Sequence, residues 1–357
     1  MSILHIIEGI MKSKLPQNIE YPQITPVPEG VHRPFWSVMI PTYNCAKYLA
    51  QTLESVLSQD PGPEHMQIEV IDDCSTKDDP EAVVREIGKG RVSFYRQPQN
   101  VGAIRNFNTC VKRSLGQFVH ILHGDDFVAP NFYSSYESLI QSHPDVTLII
   151  SPAIFVNEKN EHIRTEPLLS NIDGVVVDFP RIDAVRNAIQ TPAAVVPRKV
   201  YEQVGGFYEP RFHTADWEMW FRAGLYGKVV TLDKQVAYYR LHSGSDTSRL
   251  ILTGNNIQEC KHAIDMCMRQ LPENLRAELN DNKYSEIANL ARSLYFDFAN
   301  KKIWKSSLIH ASWSLRLSPS KSSLKSYLAA LARYVLYGAL NFDIKFLKLK
   351  QNISDAS

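Results

Sequence analysis

The chain has few of the features that mark membrane-spanning or disulfide-stabilised proteins. No run of eighteen apolar residues occurs among its 357 residues, so we expect no transmembrane helix. The apolar N-terminal residues are interrupted by His5 and Glu8, which argues against a signal peptide. The five cysteines are odd in number and show no CxxC spacing, so neither a disulfide framework nor a zinc site is expected. These absences favour a cytoplasmic protein with reduced thiols.

An excess of charge of one sign is also missing from the whole chain. The formal net charge is +1, which argues against a nucleic-acid-binding protein. The C-terminal part differs, because residues 301–357 hold ten Lys/Arg against two Asp. Apolar residues are interleaved among these charges, at Tyr327, Leu328, Leu331, Tyr334, Val335 and Leu336. The pattern has two interpretations, a solvated helical surface or peripheral contact with anionic lipid at the inner face of the membrane.

The order of the predicted elements divides the chain into three parts. Residues 1–34 are predicted to be a leader and a proline-rich linker, since five prolines prevent a continuous helix there. Residues 35–250 alternate apolar strands with amphipathic helices, which predicts an α/β domain with a mostly parallel sheet. Residues 152–192 within it show no readable pattern and are expected to form a lid or an acceptor surface. Residues 251–357 are predicted to be a helical region that ends in the basic tail. The predicted strands begin with Ser37–Pro41, Ile68–Asp72, Val92–Tyr95, Phe118–Leu122 and Val146–Ser151.

Polar residues follow several of these strands at the point where each strand ends. Asp72 and Asp73 end the second strand, and Asp125 and Asp126 follow the fourth. Open α/β sheets bind ligands at the carboxyl edge of their parallel strands. Paired carboxylates at that edge suit Mg²⁺ or Mn²⁺, and such an ion suits a diphosphate. The residues alone therefore favour a nucleotide site around these carboxylates.

Taken together, these segments resemble those of the GT-A glycosyltransferases of the inverting family 2, over residues 36–242. The matching segments are Val38-Met39-Ile40-Pro41-Thr42-Tyr43-Asn44, Ile71-Asp72-Asp73-Cys74-Ser75-Thr76, Asn100-Val101-Gly102 with Arg105-Asn106, Leu122-His123-Gly124-Asp125-Asp126 with Pro130, Gly205-Gly206-Phe207, Asp216-Trp217-Glu218 with Arg222, and Tyr239-Arg240-Leu241-His242. The resemblance implies a Rossmann-like GT-A fold with a mostly parallel central sheet, here followed by a C-terminal α-helical extension. It also implies a nucleotide-diphospho-sugar donor.

The resemblance further implies roles for individual residues. Asp216 matches the general base, with Glu218 as its competitor. Asp125 and Asp126 match the DxD motif that holds a divalent metal, and His242 matches a late histidine that approaches the metal or the diphosphate in some relatives. Trp217 is a candidate acceptor contact. The nucleotide-binding positions are matched by Pro41, Thr42, Tyr43, Asp73, Arg105 and Asp125.

One position departs from the family pattern. The family usually carries Asp-x-Asp-Asp, and the first of these aspartates is His123 in this chain. A neutral imidazole can replace the carboxylate as a partner of the ribose or of a metal-bound water, but it brings one negative charge less. We therefore expect weaker binding of Mn²⁺ or Mg²⁺, and strict metal dependence stays open.

The expected function is transfer of a sugar from a UDP- or dTDP-type donor to a saccharide or lipid-linked acceptor, with inversion, in polysaccharide or glycan biosynthesis. The acceptor hydroxyl needs a base within hydrogen-bond reach, and a single displacement needs no covalent nucleophile. Two alternatives stay open. A sugar-nucleotide-binding protein with impaired catalysis is favoured by His123. A nucleotidyltransferase is disfavoured, because residues 42–47 lack the glycines of a triphosphate-binding loop.

Overall fold

The computed structural model describes residues 19–210 and 213–339 of the chain. The described residues form two compact units. The first contains the described residues up to His242 together with Met266–Arg276, and the second contains Ser243–Asp265 and the described residues from Ala277 onward. The first unit therefore ends near the predicted boundary at residue 250, but it takes in a short segment from beyond that boundary.

The first unit is built on eleven strands in two sheets. A seven-stranded sheet has the order β10-β6-β9-β4-β1-β2-β3, and a four-stranded sheet has the order β5-β11-β7-β8. The strands are β1 (Trp36–Thr42), β2 (Met66–Asp72), β3 (Ser93–Arg96), β4 (Phe118–Ile121), β5 (Phe127–Val128), β6 (Val146–Ile150), β7 (Ala153–Val156), β8 (His162–Thr165), β9 (Ala194–Pro197), β10 (Lys228–Thr231) and β11 (Ala237–Arg240).

The larger sheet is mostly parallel, which confirms the predicted α/β class. β1 pairs in parallel with β2 and with β4, and β2 pairs in parallel with β3. β9 is the exception, since it runs antiparallel to both β4 and β6. β1 is buried along its whole length, as expected for a central strand covered on both faces. The antiparallel insertion of β9 was not predicted from the sequence.

The helices of the first unit cover this sheet with their apolar sides. Ala46–Leu57, for example, buries Leu49, Leu53 and Val56, which follow helical spacing. The side chain of Asp79 caps Pro80–Gly88 by accepting a hydrogen bond from the Ala82 amide. The helices up to His242 are Ala46–Leu57, Pro80–Gly88, Ala103–Arg113, Phe132–Ser142, Phe179–Asp183, Arg198–Val204 and Ala215–Tyr226.

The predicted linker is packed rather than free where the structure describes it. Tyr21 and Ile24 are buried in the first unit. The Tyr21 hydroxyl donates to Glu218 Oε1 at 2.8 Å, and the carbonyl of Pro22 accepts a hydrogen bond from the Gly206 amide. Prolines prevented a helix here, as predicted, but an extended chain can still bury its aromatic side chains. Residues 1–18 lie outside the described residues.

The remaining described chain is helical, as predicted. Its helices are Asp246–Thr253, Asn255–Gln270, Glu273–Leu279, Ser285–Asn300, Trp304–Leu317 and Lys321–Arg333, followed by a π-helical segment, Tyr334–Ala339. Among the described helices, none combines the length and apolar content needed to cross a membrane. The end of the predicted basic tail, from residue 340 on, lies outside the described residues.

A buried histidine on β4 gives a testable pH dependence. His120 is fully buried between the Tyr133 hydroxyl and the Pro192 carbonyl, and its ring stacks on Phe132 at 4.6 Å. Burial lowers the pKa of His120 to about 4. The unfolded chain therefore binds this proton more readily, and stability falls as the pH drops from about 6.5 towards 4. We expect His120 to account for a loss of about 2 kcal/mol between pH 7 and pH 4.5.

Urea unfolding at both pH values checks this expectation. In His120→Gln the stability difference between the two pH values should shrink by that amount. His162→Gln, which removes an exposed histidine on β8, is the matched control. An unchanged pH dependence in His120→Gln would show that His120 does not carry this effect.

Candidate active site

The turn after β4 holds two carboxylates in a tightly fixed backbone. The Gly124 amide donates to the Pro41 carbonyl at 3.0 Å, and the Thr52 hydroxyl donates to the carbonyls of Gly124 and Asp126. A Cβ atom at Gly124 would lie 3.0 Å from both Cys45 Sγ and Thr42 Oγ1. The turn therefore approaches the end of β1 so closely that glycine fits best at this position.

Asp126 is the more buried of the two carboxylates. Its Oδ1 accepts the Arg240 amide at 2.8 Å. Its Oδ2 lies 3.4 Å from His123 Nδ1 and accepts no hydrogen bond from any described residue. Burial raises the pKa of Asp126 to about 6. A buried carboxylate oxygen without a donor needs a cation or a proton close by.

Asp125 is held from the side of the smaller sheet. His242 follows β11, and its Nε2 donates to Asp125 Oδ2 at 2.9 Å. The His242 ring in turn packs against Tyr48, with 4.9 Å between ring centroids. Burial acts to raise the pKa of Asp125, but the hydrogen bond from His242 and the nearby histidine charges outweigh it and lower that pKa. Asp125 is therefore kept ionised and oriented by His242.

His123, Asp125 and Asp126 together fit a divalent metal ion. One ligand atom from each lies within 4.8 Å of the others. Besides Asp126 Oδ2, the buried Nε2 of His123 has no hydrogen-bond partner among the described residues. An imidazole nitrogen and carboxylate oxygens are suitable ligands for Mn²⁺. His242 was predicted as a metal ligand, and this role stays a prediction; in the structure its Nε2 is hydrogen-bonded to Asp125.

The predicted base, Asp216, is anchored at the same edge of the sheet. The Thr191 hydroxyl donates to Asp216 Oδ2 at 3.0 Å, and Asp216 Oδ1 accepts the Trp217 amide. Thr191 lies just before β9, whose residue Val195 pairs with His120 of β4. Because β9 is antiparallel to β4, the start of β9 lies beside the end of β4. The unpredicted direction of β9 thus brings Asp216 towards the acidic turn.

The negative charge of Asp216 also acts on His123, which precedes the acidic turn. Burial would lower the pKa of His123, but the adjacent Asp126 carboxylate and the negative charges of Asp125 and Asp216 outweigh it and raise that pKa. The ring also stacks on Phe107, with 5.1 Å between centroids, which fixes its plane. Asp216 is itself only partly buried.

The predicted nucleotide-binding residues lie at the ends of β1 and β2. The Asp73 amide donates to the Thr42 carbonyl at 2.9 Å, and the Asp73 carboxylate accepts the amides of Val101 and Gly102. Burial raises the pKa of Asp73 despite those two donors. Asp73 thus joins β2 to the start of the helix Ala103–Arg113. A nucleobase could donate a hydrogen bond only to the remaining lone pairs of these two oxygens.

Two further predicted residues present accessible groups. Tyr43 is 47% exposed, so its ring is open to stacking. Arg105 stands in the first turn of Ala103–Arg113, largely exposed, with its Nε 3.4 Å from Glu209 Oε2. Such an exposed ion pair is weak, so the guanidinium can exchange this partner for a phosphate.

Glu218 and Trp217 do not reach an open site, which corrects their prediction as candidate base or acceptor contacts. Glu218 is fully buried, and its oxygens accept hydrogen bonds from Arg222, Tyr21 and Gln270. Trp217 is 1% exposed and donates its indole N–H to the Asp183 carbonyl. Glu218 stands two residues after Asp216, so it lies on nearly the opposite side of the helix and points into the interior.

Sequence reasoning assigned no role to Arg240, although it holds the acidic turn in place. Its Nε donates to the Asp125 carbonyl at 2.8 Å, and its other nitrogens reach Gln51 and Asn160. Its guanidinium also lies over the Tyr48 ring at 4.8 Å. The only signal available was its place two residues before His242 in a segment that resembles the family.

Comparison with known proteins agrees with this geometry. The sequence pattern of Glycosyl transferase family 2 matches residues 37–221, just over half of the chain. An uncharacterized glycosyltransferase of Rickettsia felis is 23% identical over 276 residues, which are 77% of this chain and 45% of that protein. The chain thus spans less than half of that relative's length.

Solved structures of glycosyltransferases show the same fold. The Staphylococcus aureus TarS fragment 1–349 in complex with UDP-GlcNAc matches with a TM-score of 0.56 and 19% identity, over 84% of this chain and 80% of that one. Mannosyltransferase PcManGT from Pyrobaculum calidifontis, in complex with GDP-Man and Mn²⁺, matches with a TM-score of 0.55 and 15% identity, over 95% and 88% of the two chains. The fold is GT-A, and the chain belongs to glycosyl transferase family 2.

Proposed function

We propose that this chain transfers a sugar from a nucleotide-diphospho-sugar, of the UDP or dTDP type, to a hydroxyl of a saccharide or lipid-linked acceptor, with inversion. The observation that carries the proposal is that Asp216, held by Thr191, is near enough for its charge to act on His123, which groups with Asp125 and Asp126. A base and a site for a diphosphate thus share one edge of the sheet. Family membership supports the same reaction class.

Each group has a distinct task in the proposed reaction. Asp216 accepts the proton of the attacking acceptor hydroxyl, whose own pKa is far too high for it to ionise unaided. His123, Asp125 and Asp126 would hold a divalent ion, which supplies positive charge next to the leaving diphosphate. Arg105 adds a guanidinium that binds phosphate oxygens. In the proposed reaction the acceptor oxygen attacks from the side opposite the leaving diphosphate, and such a single displacement inverts the anomeric carbon.

The pyrimidine part of the proposal rests on Tyr43 and Asp73, which follow the ends of β1 and β2. The exposed Tyr43 ring offers a stacking surface. The Asp73 carboxylate can accept a hydrogen bond from an imide N–H, which uracil and thymine carry. TarS is described in complex with a UDP-sugar, whereas PcManGT is described with a GDP-sugar, so the shared fold does not itself choose between bases.

A thermal-shift screen tests the donor. UDP-GlcNAc, UDP-glucose, dTDP-glucose and GDP-mannose are each added to the full chain with and without Mn²⁺. A ligand that binds only the folded state stabilises it by about 2.7 kcal/mol at 100 times its Kd, so a matching donor should raise Tm by a few degrees. We expect the UDP- or dTDP-sugars to do so, and more strongly with Mn²⁺.

The same screen contains the outcomes that oppose the proposal. A shift with GDP-mannose alone would overturn the pyrimidine assignment. No shift with any sugar nucleotide, in a protein that unfolds cooperatively, would oppose a nucleotide-sugar donor. Tyr43→Ala is the informative variant, because it removes the stacking ring at an exposed position and should leave the stability of the free protein nearly unchanged.

A further inference from the structure

The helix Lys321–Arg333 of the second unit buries its small residues and exposes its leucines. Its interior side consists of small residues: Ser323, Ser326 and Ala330 are buried. Ala330 packs with Tyr295 and Ala311, on the neighbouring helices Ser285–Asn300 and Trp304–Leu317. The larger apolar residues lie on the opposite side of the helix. An ordinary surface helix of a globular protein shows the reverse arrangement.

The outward apolar residues form a continuous stripe. They are Leu324, Leu328, Leu331 and Val335, which are 46%, 54%, 36% and 55% exposed. The spacing of four and three residues places the three leucines along one line of the helix surface, and Val335 follows in the π-helical segment. Leu336 and Tyr337 extend the apolar surface and are also more than half exposed. Single exposed leucines are common, but a run of this length indicates a surface that is covered by something else.

The orientation of this helix is set by its contacts with the neighbouring helices. Ala330 packs against Tyr295 and Ala311. Arg333 reaches the Tyr295 hydroxyl at 3.5 Å. A half-turn rotation that would bury the leucines breaks these contacts and brings the buried Ser323 and Ser326 to the surface. The stripe is therefore built into the fold of this unit.

The charge around the stripe selects among partners. Residues 301–339 contain seven Lys/Arg and no Asp or Glu. Lys321, Lys325 and Arg333 are exposed on the helix that carries the stripe. Two copies of this face would bring like charges together, and residues 340–357 add three Lys against two Asp. Neither a second copy nor the chain's own end supplies the negative charge that this face lacks.

We propose that the stripe, with its flanking Lys321 and Lys325, docks onto an anionic phospholipid surface. An amphipathic helix with apolar side chains on one side and Lys/Arg around them lies in the membrane interface, and both parts contribute to binding. Two of the apolar residues named in the sequence analysis, Tyr327 and Tyr334, are partly buried and do not belong to the stripe. Leu324, which was not named there, does belong to it. The inference goes beyond the proposed transfer reaction and does not depend on it.

Flotation of the full chain with lipid vesicles tests the proposal. Vesicles of phosphatidylcholine alone are compared with vesicles of phosphatidylcholine and phosphatidylglycerol in equal parts. We expect binding to the mixed vesicles, little binding to the neutral ones, and a loss of binding as salt is raised. The double variant Leu328→Ser/Leu331→Ser should bind at least about tenfold more weakly.

Two controls separate the contributions of the stripe and its charges. Leu290→Ser removes a leucine that is 43% exposed on a different helix, Ser285–Asn300, and should bind like the wild type. Lys321→Gln/Lys325→Gln should weaken binding to the mixed vesicles only. The proposal is overturned if the wild type does not float with the mixed vesicles, or if the stripe variant binds as tightly as Leu290→Ser. A stripe-dependent dimer in size-exclusion chromatography without vesicle binding would assign the face to self-association instead.

Discussion

Replacing Asp216 by Asn is expected to lower the rate of sugar transfer by about 10²–10⁴-fold, the usual contribution of a general base. The amide cannot take the proton of the acceptor hydroxyl at neutral pH. Its oxygen can still accept the Trp217 amide, and its NH2 can donate to the Thr191 hydroxyl, so the local fold should persist. Binding of the nucleotide sugar should be nearly unchanged, because Asp216 acts on the acceptor. Turnover measured at saturating donor and acceptor checks the prediction.

Glu218 provides the matched control, because it stands two residues away on the same helix and carries the same group. Glu218→Gln should affect stability more than chemistry. Removing one partner from the buried pair with Arg222, whose N···O distance is 3.0 Å, leaves a charge without compensation and costs about 3–5 kcal/mol. Near-normal turnover in Asp216→Asn would refute its role as base. A variant Glu218→Gln that stays as stable as the wild type but loses turnover would move that role to Glu218.

Thr191 offers a graded test of the same assignment. It touches Asp216 through one hydrogen bond and has no other contact with the proposed chemistry. Thr191→Val should therefore reduce turnover less than Asp216→Asn does. Combining the two substitutions should add little to Asp216→Asn alone, since the hydrogen bond serves the carboxylate that is already lost.

The sequence was sufficient to predict the fold and most of the strand ends, because these depend on local patterns. The second strand ends at Asp72 as predicted, and β4 ends one residue before the predicted Leu122. The position of Asp125 and Asp126 could be predicted because they follow an apolar strand, whose carboxyl end lies at the edge where open α/β sheets bind ligands. The parallel order of β1, β2 and β4 then followed from the alternation of strands and helices.

Other features depend on long-range pairing that no local pattern shows. The antiparallel β9 enters the sheet between β4 and β6, and this position, not the sequence near Asp216, brings Thr191 to the acidic turn. β5 has only two residues, so no alternation could reveal the smaller sheet. The same holds for Arg240, whose hydrogen bonds cross from β11 to the turn. Glu218 was misjudged because a motif gives spacing and does not show which side of a helix is buried.

Metal binding provides the second large expected effect. Asp125→Asn should weaken the binding of Mn²⁺ by on the order of 100-fold, since it removes a charged ligand of the cluster. Titration with Mn²⁺, in which the signal of the free ion is followed by electron paramagnetic resonance, measures this without any enzymatic assay. Ser151→Ala, a change at a buried hydroxyl after β6, is a control for nonspecific loss of structure.

The same measurement distinguishes the two histidines near the acidic turn. Pulsed electron paramagnetic resonance of bound Mn²⁺ detects a coupled imidazole nitrogen. If His123 is a ligand, as its buried Nε2 without a partner suggests, this coupling should disappear in His123→Asn and persist in His242→Asn. The opposite result would make His242 the ligand, as predicted from the family resemblance. Because imidazole prefers Mn²⁺ to Mg²⁺ while a carboxylate suits both, His123→Asp should also raise the binding of Mg²⁺ relative to Mn²⁺. The histidine at position 123, where the family usually has aspartate, would then indicate a different metal preference and not a loss of catalysis.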